Sequence, residues 1–348
     1  MKLCPLCHLC YEEAETSCAN DQSPLVSTHP DTRLVAKKYR LDWLLGRGRL
    51  GALYEGTHIA TDRCVAVRLL APDRAGGRET PKQFRAEAHT VAHLNTRIDH
   101  QHVAKTCDYG TLTDGTPYIV TELLTCTPLR EFMAGAGALT VSDAVRVARQ
   151  MADGLEAAHR CGVVHGDLNP SNVFVTQDRR GRLDVKILDF GFGRLRALLM
   201  TGDDGGRQDE SPATSPYLPP EQKLGRRLDE RSDLYGLGMI LYELLAGRPH
   251  LLQATQVCEG AGPEGLTPLT ELREDVPEPL WRLVEQSVAT KPSARPANAG
   301  EFKRRLMGLG GPGPCERSVD FVPDVQVATP QEGGAMHPAR PLVHAAEL

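Results

Sequence analysis

The sequence lacks a run of about eighteen apolar residues, the length that a membrane-spanning helix requires. Its first residues do not have the pattern of a signal peptide, because four cysteines fall within residues 1–18. It also lacks an excess of basic charge, since 40 lysines and arginines stand against 45 acidic residues, for a net charge of −5. The composition therefore predicts neither nucleic acid nor a membrane as partner, and it favours a cytoplasmic location.

Most of the cysteines are too scattered to indicate a disulfide framework. Six of the ten stand singly, which is typical of small buried hydrophobic residues in a reducing compartment. These six are Cys64, Cys107, Cys126, Cys161, Cys258 and Cys315. Only the four cysteines near the N-terminus are clustered.

The clustered cysteines lie in "CPLCHLCYEEAETSCAND", within a cysteine-rich segment predicted over residues 1–25. Cys4 and Cys7 have the C-x-x-C spacing of one edge of a zinc site, and Cys18 with Asp21 repeats that interval with a carboxylate in the last position. The segment therefore predicts a zinc-ribbon-like element with these four residues as ligands.

The fourth ligand remains open at this point, because Cys10 or His8 offers an alternative to Asp21. The competing interpretation is a set of free thiols on a flexible arm. Residues 26–38 have the composition of a short polar linker, so metal binding is expected to leave a nucleotide site elsewhere in the chain unaffected.

After residue 38 the predicted secondary structure changes from strands to helices along the chain. From Tyr39 the apolar alternation and the glycines predict antiparallel strands, and from about Ser142, a predicted helix cap, the apolar residues recur at helical spacing. We expect an α+β domain over residues 39–308, with a small sheet lobe followed by a larger helical lobe. Residues 309–348 are rich in glycine, proline and polar residues, which predicts a disordered tail.

A glycine-rich stretch is the first candidate functional motif. Gly46, Gly48 and Gly51 form G-x-G-x-x-G between two predicted strands. Glycines in a hairpin are often only turn residues, but here a strand with the basic residue Arg68 follows where a dinucleotide-binding unit would have a helix. A flexible hairpin above a basic strand residue suits the phosphates of a nucleotide. Glu87, on a predicted helix, could pair with Arg68, although each alone is compatible with an ordinary surface charge.

The stretch "HGDLNPSN" carries the candidate acid and amide. Asp167 and Asn172 lie between a predicted helix and a predicted strand, and Asp189 in "LDFG" follows the next strand. Asp and Asn also favour ordinary capped turns. Two carboxylates and an amide in separate loops facing one cleft are, however, an arrangement for magnesium and a nucleophile.

Residues 39–308 resemble a bacterial-type serine/threonine protein kinase. The glycine loop, "VAVR", Glu87, "HGDLNPSN", "LDFG", "TSPYLPPEQ", "RSDLYGLGMILYELLAGRP" and "KPSARP" occur in that family's order and spacing. The resemblance implies a bilobal kinase fold, ATP with Mg²⁺ or Mn²⁺ as cofactors, and a protein substrate with a Ser or Thr acceptor. A small-molecule kinase is disfavoured, because "TSPYLPPEQ" resembles the platform that binds protein substrates.

The resemblance also implies roles for individual residues. Asp167 would accept the proton of the substrate hydroxyl, Asn172 and Asp189 would hold magnesium, and Glu87 would anchor Arg68. The nucleotide would be bound by Gly46, Gly48, Gly51, Ala66, Arg68, Glu122, Leu124 and Phe174.

Several further positions match the family's structural residues. Thr121 would guard the adenine pocket, and Thr214 would contact the catalytic aspartate. Asp233 would brace the catalytic loop, and Glu221 would pair with Arg295.

Three departures from the pattern weaken the predicted enzyme. Arg68 stands in place of a lysine, Gly166 in place of the arginine that receives a phosphorylated activation segment, and Asn169 in place of the lysine that neutralises the transferring phosphoryl group. Arg47 and Arg49 in the glycine loop could compensate by overhanging the phosphates, or could simply be exposed. The alternative function is a pseudokinase that binds a nucleotide or a partner protein as a scaffold.

Overall fold

The computed structural model describes residues 1–70, 82–200, 215–247 and 266–308. Thr214 and the predicted tail, residues 309–348, lie outside the described residues, so the structure does not test either prediction.

The N-terminal segment forms a small antiparallel sheet of three two-residue strands in the order β2-β1-β3. They are β1 (Lys2–Leu3), β2 (Cys10–Tyr11) and β3 (Val26–Ser27). The predicted linker over residues 26–38 is therefore not a free connection. Its first residues belong to β3, and Leu34 and Val35 form a strand that joins the next sheet.

Six antiparallel strands form the principal sheet, in the order β4-β5-β6-β7-β9-β8. They are β4 (Leu34–Val35), β5 (Tyr39–Gly48), β6 (Gly51–His58), β7 (Arg63–Leu69), β8 (Thr106–Thr111) and β9 (Pro117–Glu122). Helix α1 (Lys82–Asn95) buries Phe84, Ala88 and Val91 and contacts β8 and β9. This sheet and its helix form the small lobe.

The larger lobe is helical, with a short three-stranded sheet at its edge. Its strands are β10 (Thr127–Pro128), β11 (Val173–Gln177) and β12 (Leu183–Ile187). Its helices are α2 (Leu129–Ala136), α3 (Val141–Arg160), α4 (Phe192–Met200), α5 (Pro220–Lys223), α6 (Glu230–Ala246), α7 (Leu269–Leu272), α8 (Glu278–Ser287) and α9 (Ala299–Gly308).

Helix α6 is the centre of this lobe, because apolar residues on all its sides are buried against α3 and α8. Helix α3 begins two residues earlier than its predicted cap suggests: the side chain of Thr140, and not Ser142, accepts a hydrogen bond from the Asp143 N–H. The predicted α+β class, with a small antiparallel sheet lobe and a larger helical lobe, is confirmed.

Candidate active site

The loop that carries the candidate acid lies between α3 and β11, and the central helix holds it. Both carboxylate oxygens of Asp233 accept main-chain hydrogen bonds, from His165 N and Gly166 N, each at 2.8 Å. Asp233 is 1% exposed, so its charge is buried and satisfied by these donors and by His159 Nε2 at 2.7 Å. Helix α6 thus fixes the start of the loop that carries Asp167, as the resemblance implies.

The backbone conformation at position 166 explains why glycine stands there in place of the family's arginine. Its φ of +73° lies in the left-handed region, where an arginine would be strained. The chain also approaches it closely, because a Cβ atom added to Gly193, near the start of α4, would collide with the Gly166 carbonyl oxygen. The two glycines therefore allow α4 to lie directly against the loop that carries Asp167.

Two asparagines organise the candidate base. Asn172 Nδ2 donates to the carbonyl of Asp167 at 2.8 Å, and Asn169 Nδ2 donates to the same carbonyl at 3.0 Å. Asn169 Oδ1 also accepts from Ser171 N at 2.9 Å and so begins the short 3-10 turn that contains Asn172. Asn169, which stands where the family has a lysine, therefore has a structural role in the loop.

Asn172 and Asp189 meet because they flank the paired ends of two antiparallel strands. Val173 and Ile187 are partners in β11 and β12, and Leu188 N donates to the carbonyl of Asn172 at 2.9 Å. The amide nitrogen of Asn172 is held by Asp167, which leaves its Oδ1 for another partner. An amide oxygen and a carboxylate are hard ligands, so this donor set fits magnesium.

Arg68 is bonded to Asp189, whereas the resemblance implies Glu87 as its anchor. Its Nη2 donates to Asp189 Oδ2 at 2.8 Å, with the two side chains only 7% and 11% exposed, and its guanidinium lies over the Phe192 ring at 5.3 Å. Glu87, the predicted anchor, pairs with Arg194 at 2.9 Å. In this arrangement, Arg68 and Glu87 therefore pair with other residues and not with each other.

Helix α4 supplies two further basic residues to the site. Arg194 Nε lies 2.9 Å from Glu87 Oε1, and Arg196 Nη1 lies 2.6 Å from Asp167 Oδ2. Burial raises the pKa of Asp167, and the positive charge of Arg196 opposes that rise. The sequence indicates a role for these arginines only through their position, because both closely follow the motif that contains Asp189.

The glycine hairpin closes onto the same helix. Gly48 pairs with Gly51, which leaves Arg49 and Leu50 as the two residues of a tight turn. Leu50 is 1% exposed and packs in one apolar cluster with Phe192 and Leu195. The hairpin tip, α1 and α4 therefore close the cleft together.

The predicted adenine-binding residues lie on β7, β9 and β11. Ala66 and Thr121 are partners across β7 and β9, and Phe174 is buried on β11. Glu122 accepts from Lys186 Nζ at 2.6 Å, and its N–H donates to the Lys105 carbonyl at 3.0 Å. The residues that follow Glu122, including Leu124, connect the small lobe to β10.

A second candidate site is the N-terminal cysteine cluster, which is built from two similar turns. In the first turn, Cys4 N donates to Leu9 O and His8 N donates to Cys4 O, at 3.0 and 3.1 Å. In the second turn, Cys18 N donates to Ser23 O and Gln22 N donates to Cys18 O, at 2.8 and 3.0 Å.

The two turns also share an unusual backbone conformation, since His8 and Gln22 both have φ of 61°. Asp21 occupies in the second turn the place that Cys7 occupies in the first.

The ligand atoms of this cluster lie close enough for one ion. Those of Cys4, Cys7, Cys18 and Asp21 are all within 4.8 Å of one another, with Cys7 Sγ to Cys18 Sγ at 3.5 Å and Cys4 Sγ to Asp21 Oδ2 at 3.2 Å. Sulfurs bound tetrahedrally to zinc lie about 3.8 Å apart, given Zn–S bonds of about 2.3 Å. Cys10 and His8, the alternative ligands, are not in this cluster.

Comparison with known proteins points to one family. A family model described as the protein kinase domain matches residues 39–304. Among solved structures, that of Rad53 1-466 in complex with AMP-PNP is similar to this chain, with a TM-score of 0.57 at 20% identity, covering 77% of this chain and 65% of that one. At that identity the likeness shows the fold.

Curated relatives agree with the family match. The chain is 31% identical to the serine/threonine-protein kinase pkn3 of Myxococcus xanthus, over 80% of this chain and 52% of that protein. It is 33% identical to the serine/threonine-protein kinase Pkn1 of the same organism, over 82% and 39%. It is 30% identical to the probable serine/threonine-protein kinase PknB of Bifidobacterium longum, over 81% and 41%. The chain therefore spans about half or less of the length of these relatives.

Proposed function

Since the chain belongs to the protein kinase domain family, we propose that it transfers the γ-phosphate of ATP to a serine or threonine of a protein substrate. The observation that carries this proposal is the meeting of Asp167, Asn172 and Asp189 at one edge of the cleft, held by Asp233 and by the ends of β11 and β12. An acid, an amide oxygen and a carboxylate in this order supply what the transfer needs from the protein.

Each of these residues has a role in the proposed reaction. Asp167 orients the substrate hydroxyl and accepts its proton. Asn172 and Asp189 would hold Mg²⁺ or Mn²⁺, which neutralises charge on the phosphates when it is bound. Arg68 contacts the phosphates, anchored by Glu87 once the contacts of α4 are released.

The glycine hairpin, with Gly46, Gly48 and Gly51, covers the phosphates in this proposal. Ala66, Glu122, Leu124 and Phe174 surround the adenine, as the resemblance implies. Arg47 does not overhang the site, because its guanidinium donates to Thr28 Oγ1 in the N-terminal segment.

The proposed substrate is a protein, and we propose neither nucleic acid nor a membrane as partner. The proposed location is the cytoplasm. In the described parts of the chain, no helix combines the length and the apolar character needed to cross a membrane.

The described arrangement is, we propose, a resting state. Arg196 covers the candidate base, Arg194 covers Glu87, and Arg68 is held by Asp189. Transfer requires α4 to withdraw, so that Arg68 can turn to Glu87 and the substrate hydroxyl can reach Asp167.

The experiment that tests the function uses the full chain with labelled ATP, Mg²⁺ or Mn²⁺, and a general protein substrate. Label in phosphoserine or phosphothreonine supports the kinase. Absence of label, while a fluorescent ATP analogue still binds, supports the scaffold alternative. Absence of both label and binding overturns the nucleotide site itself.

Replacing Arg196 by alanine should raise the transfer rate about tenfold. Arg196 is 27% exposed and its contact with Asp167 is charge-assisted, worth about 1.5 to 3 kcal/mol, whereas Arg194 is 73% exposed and contributes little. Initial rates with saturating ATP measure the effect.

Two further variants make this comparison specific. Gly193→Ala, which removes no charge but places a methyl group against Gly166, should act in the same direction. The exposed pair Arg226→Ala with Arg227→Ala should change nothing. A lower rate in Arg196→Ala would instead mean that Arg196 supplies the positive charge that Asn169 lacks.

We also propose that the four-residue cluster of Cys4, Cys7, Cys18 and Asp21 binds one zinc ion. Zinc binds thiolates and carboxylates in a tetrahedral arrangement of four ligands, and the two matching turns present these four residues in pairs. The small sheet around them is too short to hold this geometry through its own apolar core.

Metal analysis of the purified chain should therefore find about one zinc per molecule. The double variant Cys4→Ser with Cys7→Ser should lose it, whereas Cys64→Ser with Cys107→Ser, which changes two exposed thiols elsewhere, should keep it. Metal-free wild-type protein, purified without chelators and after growth with zinc, would contradict the proposal.

A further inference from the structure

The cysteine turns dock onto the strand that leads into the glycine hairpin. Leu44 N donates to the carbonyl of His8 at 3.0 Å, and Leu9 forms an isolated antiparallel bridge with Trp43. The register between β5 and β6 is irregular between Leu44 and Gly46, so the strand leaves regular pairing at the place where the N-terminal segment holds it.

An apolar core joins the two parts behind these main-chain contacts. Met1, Leu3 and Cys10 are 1%, 7% and 3% exposed, and they belong to the same cluster as Leu41 and Leu44 of β5. Burial of this kind excludes a free arm. The segment that contains the predicted linker therefore lies against the strand that leads into the glycine hairpin.

A second anchor holds the hairpin itself. The guanidinium of Arg47, between the first two glycines of the motif, donates to Thr28 Oγ1. Close by, Tyr54 OH donates to the His29 carbonyl at 2.9 Å, and Tyr54 is the β6 partner of Leu44. The N-terminal segment thus holds the hairpin before Gly46 and again after it.

The metal ligands are directly continuous with these anchors. Cys7 immediately precedes His8 and Leu9, the residues that contact β5, and the turn that aims the His8 carbonyl is closed by hydrogen bonds to Cys4. An ion that joins Cys4 and Cys7 to Cys18 and Asp21 fixes this turn. The side chains of the four ligands are otherwise joined by weak thiol contacts, which the ion would replace with metal bonds.

We infer that zinc bound to Cys4, Cys7, Cys18 and Asp21 positions the glycine hairpin and so raises the affinity of the kinase domain for ATP. The inference rests on the proposed nucleotide and zinc sites and adds a coupling between them. Linkage requires the effect to be reciprocal, so bound nucleotide must raise the affinity for zinc by the same factor.

The test compares binding of a fluorescent ATP analogue with magnesium to the full chain in three states: zinc-loaded, depleted with a zinc-selective chelator, and reloaded with zinc. Depletion should weaken binding about fivefold or more, and reloading should restore it. Competition with the chelator should show tighter zinc binding, by the same factor, when the nucleotide is present.

Two variants separate the coupling from a general loss of folding. Thr28→Ala removes the partner of Arg47 but no metal ligand, so it should keep one zinc per chain and still weaken nucleotide binding about twofold to threefold. Cys64→Ser with Cys107→Ser should match the wild type in every state. Equal nucleotide affinity in the loaded and depleted chains overturns this inference and leaves the kinase proposal standing. Absence of nucleotide binding in the loaded chain overturns both.

Discussion

Replacing Asp167 by asparagine is expected to lower the rate of phosphoryl transfer by about 10²- to 10⁴-fold, the usual contribution of a positioned general base. Asparagine has nearly the same shape, and the Asp167 main-chain carbonyl, which receives the hydrogen bonds of Asn169 and Asn172, is unchanged. The loop should therefore keep its conformation, and the affinity for a fluorescent ATP analogue should change much less than the rate.

The pH dependence of the transfer rate provides a second test of the role of Asp167. Burial raises the pKa of Asp167, and the charge of Arg196 opposes that rise. A base must be deprotonated, so the wild-type rate should fall as the pH drops through the raised pKa of Asp167, and the residual rate of Asp167→Asn should lack that limb. The control is Asp184→Asn, an exposed aspartate on β12 of the same lobe, which should keep the wild-type rate and profile. Equal transfer in the wild type and Asp167→Asn would mean that the observed label comes from a contaminant.

The sequence was sufficient to place the acid groups, for a simple geometric reason. Asp167 and Asn172 precede β11, and Asp189 follows β12. Two consecutive strands that pair antiparallel bring the start of one beside the end of the other. Once those strands are recognised, the three side chains must lie at the same edge.

The sequence alone did not determine which acids pair with the basic residues of the site. The sequence offers Arg68 two acidic partners, Glu87 and Asp189, and the choice of Asp189 depends on α4, whose Arg194 pairs with Glu87. A nine-residue segment does not form a stable helix by itself. Helix α4 exists because Phe192 and Leu195 pack on Leu50 and on α1, and these contacts join residues far apart in sequence.

In the cysteine segment, too, the sequence predicts the clustered side chains but not the contacts with the rest of the chain. The repeated interval predicts Asp21 as the partner of Cys18, and the structure places both in one cluster with Cys4 and Cys7. The docking of this segment on β5 had no sequence signal, because its central contact joins the His8 carbonyl to the Leu44 N–H. Almost any residue can supply such main-chain groups.

Replacing Arg295 by alanine is expected to lower the free energy of unfolding by about 3 to 5 kcal/mol, the typical cost of breaking a buried ion pair. Arg295 Nη1 and Nη2 donate to the two oxygens of Glu221 at 2.7 and 2.8 Å, and the side chains are 0% and 5% exposed. Arg295 also donates to the carbonyls of Ala289 and Arg231, at 2.8 and 3.0 Å, so the substitution leaves both a buried carboxylate and main-chain groups without their donor.

Urea denaturation of the full chain measures the loss, and the matched control is Arg282→Ala. Arg282 pairs with Glu278 at 2.9 Å, but these side chains are 68% and 54% exposed, so its loss should cost less than about 1 kcal/mol.

Burial acts to raise the pKa of Glu221, but the hydrogen bonds from Arg295 reverse that effect and leave the pKa lowered. The stabilisation by the pair is therefore present at neutral pH and is lost as the pH falls through the lowered pKa, so the difference between wild type and Arg295→Ala should shrink in acid. Equal losses in Arg295→Ala and Arg282→Ala would show that Glu221 gains a new partner or reaches water when Arg295 is removed.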